Sequence, residues 1–201
     1  MIKNIIFDMG NVLIRFIPQV FLERYNLTVD DAKLLLKTVF LTEEWCWLDD
    51  GRLDEPEFYD IIKDRVPERL REVAKNLIMH WDDPIMDMPG MWELAGDLKK
   101  KGYGIYLLSN ASRRQHEYWP RIKASEFFDG TLISADVKLV KPDRRIYETL
   151  YEKFGLKPEE CFFIDDAPAN IEGAKKTGMD GFLFNFNADA LRDELVKRNI
   201  L

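Results

Sequence analysis

Cysteine and histidine are scarce in this chain. Among its 201 residues there are two histidines and two cysteines, and Cys46 and Cys161 lie far apart without the spacing of metal ligands. Neither a zinc site nor a disulfide framework is therefore expected. Two reduced thiols that contribute to packing are typical of a protein of the cytoplasm, which is the predicted location.

The chain also lacks an excess of positive charge and long apolar runs. The 36 acidic residues outnumber the 29 basic ones, and the net charge of −7 argues against binding to nucleic acids or to acidic membranes. No run approaches the ~18 consecutive apolar residues of a membrane-spanning helix. Asn4 and Asp8 interrupt the N-terminal apolar run too early for a signal peptide. We therefore expect neither a nucleic acid nor a membrane as partner, and either a monomer or a homodimer.

The N-terminal stretch combines an apolar run with a carboxylate. The run Ile5-Ile6-Phe7 favours a buried parallel strand, and Gly10-Asn11 after it tolerate a tight turn. Asp8 therefore lies at the carboxyl end of the predicted strand, which is where open α/β sheets bind their ligands. Taken alone, the same letters also fit a strand that simply ends at a polar turn.

The rest of the chain divides into two patterns. Residues 15–83 show helical patterns only, with Thr28 as a predicted N-cap and Asp49-Asp50-Gly51 as a turn. From Pro89 onwards helices alternate with strands, which predicts right-handed crossovers and a parallel sheet. The predicted helices are 18–25, 29–40, 55–65, 67–81, 91–101, 113–118, 143–154, 169–177 and 188–198, and the later strands are 104–109, 130–133, 161–164 and 181–184. An α/β fold with helices inserted after its first strand is expected.

Carboxylates also follow a later strand of the predicted sheet. Asp165-Asp166 end the apolar run Phe162-Phe163-Ile164, and together with Asp8 they would place three carboxylates at one edge. Such a cluster repels itself unless it holds a cation, and Mg²⁺ prefers oxygen ligands. The backbone carbonyl of Gly10 is a further candidate ligand, and Asn170 is a candidate to support the ligands through hydrogen bonds.

Two further stretches suit a bound phosphate. Ser109-Asn110 end the strand at 104–109 with a hydroxyl and backbone N–H groups, and Lys141 before Pro142 can neutralise developing negative charge. Alone, Ser109-Asn110 fits a turn, Lys141 a surface charge, and the acidic pair a helix cap. The ordered set of all these residues is what predicts a phosphate site with a metal ion.

This ordered set resembles motifs I to IV of the haloacid dehalogenase-like (HAD) superfamily, in the subclass with a helical cap. The matching stretches are Phe7-Asp8-Met9-Gly10-Asn11-Val12, Leu108-Ser109-Asn110, Lys141-Pro142-Asp143 and Phe163-Ile164-Asp165-Asp166. The D-x-G-N-V form of motif I is similar to the branch that contains α-D-glucose-1-phosphate phosphatase. The resemblance implies a Rossmann-like core of residues 1–14 and 84–201, with an all-helical cap of residues 15–83 inserted after the first strand.

The resemblance also implies a Mg²⁺-dependent phosphatase for a small phosphorylated metabolite, such as a hexose-1-phosphate. Asp8 would attack phosphorus and form an aspartyl-phosphate, while Ser109 and Lys141 hold the phosphoryl oxygens. Asp8, the Gly10 carbonyl and Asp166 would bind the metal, with Asp165 as a direct or water-mediated ligand. The candidates for binding phosphate or substrate are Asn11, Arg15, Trp45 and Asn110, and Phe16, Trp47 and the turn from Asp49 to Arg52 are candidates for covering the substrate.

One departure from the family pattern concerns the general acid. Most phosphatases of the family carry a second Asp two residues after the nucleophile, and this chain has Gly10 there. A general acid contributes about 10²–10⁴-fold to the rate. Water, a residue of the cap, or a substrate with a good leaving group could each replace it.

Three other functions remain open at the level of sequence. A 2-haloacid dehalogenase needs no metal and usually has Tyr at the Gly10 position, so the acidic pair and Gly10 both count against it. A signalling receiver has its acidic pair near the N-terminus and the phosphorylated Asp later, which is the reverse of the order here. The interpretation as a non-catalytic scaffold of the same fold is supported only by Gly10 in place of the second Asp.

Overall fold

The computed structural model describes all 201 residues and contains one sheet of five strands. The strands are β1 (Asn4–Phe7), β2 (Gly104–Ser109), β3 (Gly130–Ile133), β4 (Cys161–Asp165) and β5 (Asp180–Leu183). Their order is β3-β2-β1-β4-β5, and all neighbours pair in parallel. This topology confirms the predicted α/β fold with a parallel, Rossmann-like sheet.

Eleven α-helices surround the sheet or lie beside it. Those of residues 15–83 are α1 (Pro18–Leu22), α2 (Val29–Leu35), α3 (Glu43–Asp49), α4 (Glu55–Ile62) and α5 (Arg71–Met79). Those that follow are α6 (Met91–Lys100), α7 (Gln115–Tyr118), α8 (Ser134–Val137), α9 (Arg144–Phe154), α10 (Pro168–Lys176) and α11 (Ala188–Lys197). Short 3₁₀ turns lie at Lys63–Arg65, Glu68–Leu70, Trp119–Arg121, Lys123–Phe127 and Pro158–Glu160. No helix has both the length and the apolar character needed to cross a membrane.

The ends of the inserted helices follow local capping chemistry. The Thr28 hydroxyl accepts a hydrogen bond from the backbone N–H of Asp31 at 3.2 Å, as predicted for an N-cap. Asp54 and Glu57 form a reciprocal capping box at the start of α4, with distances of 2.8 and 2.9 Å. Side-chain caps of this kind fix where each helix begins.

The structure differs from the sequence prediction mainly inside this helical segment. The helix predicted at 29–40 ends as an α-helix at Leu35 and continues as a π-helix over Leu36–Phe40. Asp49, predicted in a turn, is instead the last residue of α3. The helix predicted at 67–81 begins with a 3₁₀ turn and is α-helical only over Arg71–Met79. No strand forms in this segment, as expected.

The inserted helices share a continuous apolar core with one face of the sheet. Ile5 and Phe7 of β1 belong to a cluster of 38 buried residues that also contains Phe21, Leu35 and Phe58 of the helical segment. Ile6 points to the opposite face and packs in a separate cluster of 12 buried residues. The boundary predicted between a core and a cap, at residues 14/15 and 83/84, stays a prediction.

Candidate active site

The central strand brings Asp8 to the carboxyl edge of the sheet. β1 lies between β2 and β4, and its last residue, Phe7, pairs with Leu107 and Ile164. The backbone N–H of Asp8 continues this pairing by donating to the carbonyl of Ile164 at 2.9 Å. Because Asp165 follows Ile164 on the neighbouring strand, the two carboxylates lie side by side.

Lys141 lies between these two carboxylates. Its Nζ is 2.8 Å from Asp8 Oδ1 and 2.7 Å from Asp165 Oδ2, and it donates to the carbonyl of Leu108 at 3.0 Å. The side chain is 1% exposed. One buried cation therefore holds the predicted nucleophile and a second acid in a fixed arrangement, since a buried charge is stable only when it is paired.

Asn110 fixes the backbone that carries this lysine. Its Oδ1 accepts from the backbone N–H of Lys141 at 2.8 Å, and its Nδ2 donates to the carbonyl of the same residue at 3.1 Å. The end of β2 is thereby tied to the stretch before α9. Ser109 is 1% exposed, and its Oγ makes only a long contact of 3.5 Å with the carbonyl of Asn110. Its hydroxyl is therefore available for another acceptor at the strand end.

Burial and charge shift the ionisation of this group. Burial raises the pKa of Asp8 to about 6, while the charge of Lys141 lowers it and that of Asp165 raises it. Burial disfavours the charge on Lys141, but Asp8 and Asp165 outweigh it and raise the pKa of the lysine. Burial, followed by the charge of Asp165, raises the pKa of Asp166. The two carboxylates therefore favour the charged form of Lys141, and the pKa of Asp8 lies above its ordinary value.

Three carboxylates and a carbonyl form an oxygen-lined group beside Lys141. Asp8, Asp165 and Asp166 each offer one oxygen, and these oxygens lie within 4.8 Å of one another. The Gly10 carbonyl, the predicted fourth ligand, belongs to the same strand-end loop and accepts no backbone hydrogen bond. Hard oxygen donors with net negative charge fit a Mg²⁺ ion.

Asp165 and Asp166 differ in how many hydrogen bonds their carboxylates accept. Asp165 accepts from Lys141, from the backbone N–H of Ala167 at 2.8 Å and from Asn170 Nδ2 at 3.0 Å. Both of its oxygens are thus engaged, and Asn170 supports it as expected. Asp166 accepts one hydrogen bond, from Asn11 Nδ2 at 3.2 Å, so it keeps an open oxygen.

Asn11 links this acidic group to the inserted helices. It has φ of 58°, in the left-handed region that Asn tolerates better than most residues. Its Nδ2 donates to Asp166, and its Oδ1 accepts from the backbone N–H of Phe16 at 3.1 Å. Asn11 therefore has a structural role at the start of the helical segment, and its predicted contact with substrate stays a prediction.

A cavity of about 150 Å³ lies between the strand-end loops and the inserted helices. Gly10, Asn11 and Asn110 line it on the sheet side. On the helical side it is lined by Phe16, Trp45, Asp49, Glu55 and Trp81. The structure thus brings Trp45 and Phe16 to the same space as the strand ends, as the sequence predicted.

Arg15 and Trp47 are not brought to this cavity. Arg15 is exposed, because its backbone N–H bonds to the carbonyl of Met86 and the adjacent Ile14 pairs with Asp87. Trp47 instead packs against Arg52, whose guanidinium lies 5.0 Å from the ring centroid. The carboxylate of Asp50 pairs with Arg52. These side chains therefore have no assigned contact with a ligand.

Some cavity residues were not identified from the sequence. Glu55 was interpreted only as part of a helix start, and Tyr118 only as a helix residue, yet both line the cavity. Glu55 Oε1 accepts from Ser112 Oγ at 2.6 Å, which joins α4 to the loop after β2. The segments that meet here are distant in sequence, so no local pattern indicates the contact.

The chain is similar to known proteins of one family. Residues 2–178 match the family model described as haloacid dehalogenase-like hydrolase. The chain is 29% identical over 155 residues to the chloroplast flavin mononucleotide hydrolase 1 of Arabidopsis thaliana, covering 75% of this chain and 60% of that protein. It thus spans less than two thirds of that relative's length. It is also 26% identical over 189 residues to a sesquiterpene phosphatase of Aspergillus oryzae, covering 89% and 88%.

A solved structure shows the same fold over nearly the whole chain. It is a HAD family enzyme of Bacteroides thetaiotaomicron in complex with magnesium and inorganic phosphate. The TM-score is 0.67 at 25% identity, and the superposition covers 93% of this chain and 96% of that one. The inserted helices and the sheet are therefore both part of a known architecture.

Proposed function

The chain belongs to the haloacid dehalogenase-like hydrolase family, and on this premise we propose that it is a Mg²⁺-dependent phosphatase for a small phosphorylated metabolite. The observation that carries the proposal is the pairing of buried Lys141 with Asp8 and Asp165, beside the open oxygens of Asp166. The names of the relatives, a flavin mononucleotide hydrolase and a sesquiterpene phosphatase, support it. So does the magnesium and phosphate bound in the similar solved structure.

Each side chain at the strand ends has its own role in the proposed first chemical step. Lys141 holds Oδ1 of Asp8, so Oδ2 is the oxygen that attacks phosphorus in line with the leaving group. The Ser109 hydroxyl and Lys141 orient the phosphoryl oxygens. Bound Mg²⁺ supplies charge neutralisation at those oxygens, and Asp8, Asp166 and the Gly10 carbonyl would hold it, with Asp165 behind them. Water then hydrolyses the aspartyl-phosphate on Asp8.

The cavity favours a compact substrate with an apolar face. Its helical side carries the rings of Phe16, Trp45 and Trp81, and such rings pack against the faces of sugars and other flat groups. A sugar phosphate such as a hexose-1-phosphate is therefore the proposed substrate class. Its anomeric leaving group is also better than that of an ordinary alkyl phosphate. The cytoplasm remains the proposed location.

Phosphate release from a panel of phosphorylated metabolites tests the proposal. We expect Mg²⁺-dependent release by the wild type and a loss on the order of 10³-fold or more in Asp8→Asn, because the nucleophile is removed. Release that is equal in wild type and Asp8→Asn, or absent with every substrate, would contradict it. A parallel assay of halide release from 2-haloacids distinguishes the dehalogenase alternative.

A further inference from the structure

The strand-end residues leave the leaving group without a proton donor. Asp8 is the nucleophile in the proposed reaction, Asp165 is engaged by Lys141 and Asn170, and Asp166 is a metal ligand. Gly10 has no side chain, and a Cβ added there would meet no atom within 4 Å. An alkoxide leaving group nevertheless needs a proton, which makes a general acid worth about 10²–10⁴-fold.

Two carboxyl groups line the cavity from the helical side, and they differ in their contacts. Glu55 is engaged, because it accepts a hydrogen bond from Ser112 Oγ at 2.6 Å. The Asp49 side chain also lines the cavity, but it makes no hydrogen bond and no ion pair with the protein. Only the backbone carbonyl of Asp49 is engaged by another side chain, because it accepts from the Ser134 hydroxyl. Asp49 is therefore the cavity carboxyl that is free to exchange a proton with a ligand.

The structure holds Asp49 firmly at this place. Its backbone carbonyl accepts from the Ser134 hydroxyl, and Ser134 Oγ in turn accepts from the backbone N–H of Ala111 at 2.9 Å. Gly51 packs so closely that a Cβ there would lie 2.5 Å from the carbonyl oxygen of Ala135. The end of α3 is thus docked on the loops that follow β2 and β3, beside the strand ends that carry the nucleophile.

We propose that Asp49 is the general acid and base of this enzyme, an inference that rests on the proposed phosphatase function. In the first step, Asp8 forms a bond to phosphorus, the bond from phosphorus to the leaving oxygen breaks, and protonated Asp49 gives its proton to that oxygen. In the second step, ionised Asp49 takes a proton from the water that attacks phosphorus. The bond to Asp8 breaks, phosphate leaves, and both carboxyl groups return to their starting states.

The surroundings of Asp49 suit both roles. Its pKa is raised to about 7, mainly by burial and also by the charges of Asp8, Asp50 and Glu55, while the charge of Lys141 opposes the shift. Tyr118, which also lines the cavity, has a raised pKa because of burial and stays neutral. A carboxyl whose pKa lies near the working pH is present in both forms, so it can donate in one step and accept in the next.

A comparison of substrates with different leaving groups distinguishes a proton-donating role of Asp49 from a purely structural one. We compare an alkyl phosphate with p-nitrophenyl phosphate, whose phenolate leaves without a proton, in wild type, Asp49→Asn and the control Asp60→Asn at an exposed acid of α4. In Asp49→Asn we expect kcat/KM, which reports formation of the aspartyl-phosphate, to fall by about 10²-fold or more for the alkyl phosphate and by less than about tenfold for p-nitrophenyl phosphate. Loss of the base slows hydrolysis of the common aspartyl-phosphate, so kcat should fall for both substrates. The decline of wild-type alkyl-phosphate activity above about pH 7 should disappear in this variant. Asp60→Asn should retain the wild-type ratio.

Three results would overturn the inference in distinguishable ways. If Asp49→Asn leaves alkyl-phosphate hydrolysis unchanged, or lowers kcat/KM for both substrates by the same factor, Asp49 is not the acid and the phosphatase proposal stands. If the wild type hydrolyses neither substrate, the phosphatase proposal fails and the inference fails with it. Retained hydrolysis of p-nitrophenyl phosphate by Asp49→Asn also shows that this variant is folded.

Discussion

Lys141 is the residue on which the strand-end arrangement depends most. It is buried and lies 2.8 and 2.7 Å from the carboxylates of Asp8 and Asp165. The sequence predicted a role for each of these residues, because each stands in one of the stretches that resemble the family's motifs. It did not predict that one ammonium joins both acids, since that contact depends on how three segments far apart in sequence pack together.

Removing this lysine should therefore affect stability as well as catalysis. In Lys141→Met, two neighbouring buried carboxylates lose their partner, and we expect unfolding to cost about 3–5 kcal/mol less than in the wild type. Urea denaturation near neutral pH measures this difference, with Lys175→Met at an exposed position as the control. Equal midpoints for Lys141→Met and the wild type would mean that the pairing contributes nothing to the fold.

The pKa of Asp49 makes a second prediction at the residue scale. Because the pKa is raised from 3.8 to about 7, the folded protein binds more protons than the unfolded chain between these values. Its contribution to stability is complete below the lower value and is lost as the pH rises through the upper one. Asp49→Asn lacks this loss, so its Tm should increase relative to the wild type as the pH rises.

Thermal unfolding of both proteins, measured in EDTA across this pH range, checks the prediction. EDTA removes divalent cations, whose charge would act on the same carboxyl groups. Parallel Tm curves for Asp49→Asn and the wild type would show that the carboxyl ionises as in the unfolded chain.

At the scale of elements, the strands were predicted better than the inserted helices. β2 and β3 have the predicted bounds, because a buried parallel strand is a short apolar run between turn residues. The π-helix at Leu36–Phe40 was not predicted, since α and π segments share nearly the same apolar spacing and tertiary packing decides between them. The start of α3 did carry a signal: the Thr42 hydroxyl accepts from the backbone N–H of Trp45 at 3.3 Å.

The docking of α3 on the sheet loops can be tested through Gly51. This glycine has φ of 71° and lies against Ala135, whereas Gly155 has φ of 65° with no atom within 4 Å of an added Cβ. Both Gly→Ala changes should cost about 1–3 kcal/mol for the left-handed backbone. Gly51→Ala should in addition shift Asp49 and lower alkyl-phosphate turnover, whereas Gly155→Ala should not.

Denaturation and kinetics on the two variants separate backbone strain from loss of the contact. If both variants have the same stability and the same turnover, the close approach of Gly51 to Ala135 does not position Asp49.

At the scale of the whole molecule, the inserted helices and the sheet are joined by one apolar cluster. This cluster includes Phe7 of β1 and Leu35, Phe58 and Leu77 of the helical segment. The sequence predicted the insertion from the change of pattern, but it gave no sign that the two parts would share a core. Contacts of that kind depend on the arrangement of surfaces, which local periodicity does not specify.

A shared core predicts that the chain unfolds in a single cooperative transition. In a background with Trp92→Phe and Trp119→Phe, the remaining three tryptophans, Trp45, Trp47 and Trp81, report on the helical segment, and far-ultraviolet circular dichroism reports on the whole chain. We expect coincident urea curves from the two probes. Fluorescence that changes at a clearly lower urea concentration would show that the helical segment unfolds as a separate unit.

The measurement that tests the proposed chemistry most directly is acid quenching during turnover, followed by mass spectrometry of the peptide that contains Asp8. With Mg²⁺ and a hydrolysed substrate, we expect a phosphoryl group on Asp8 that appears and decays within a turnover, and no phosphate release in Asp8→Asn. Phosphate release without any phosphoryl group on that peptide, together with full activity of Asp8→Asn, would contradict nucleophilic attack by Asp8.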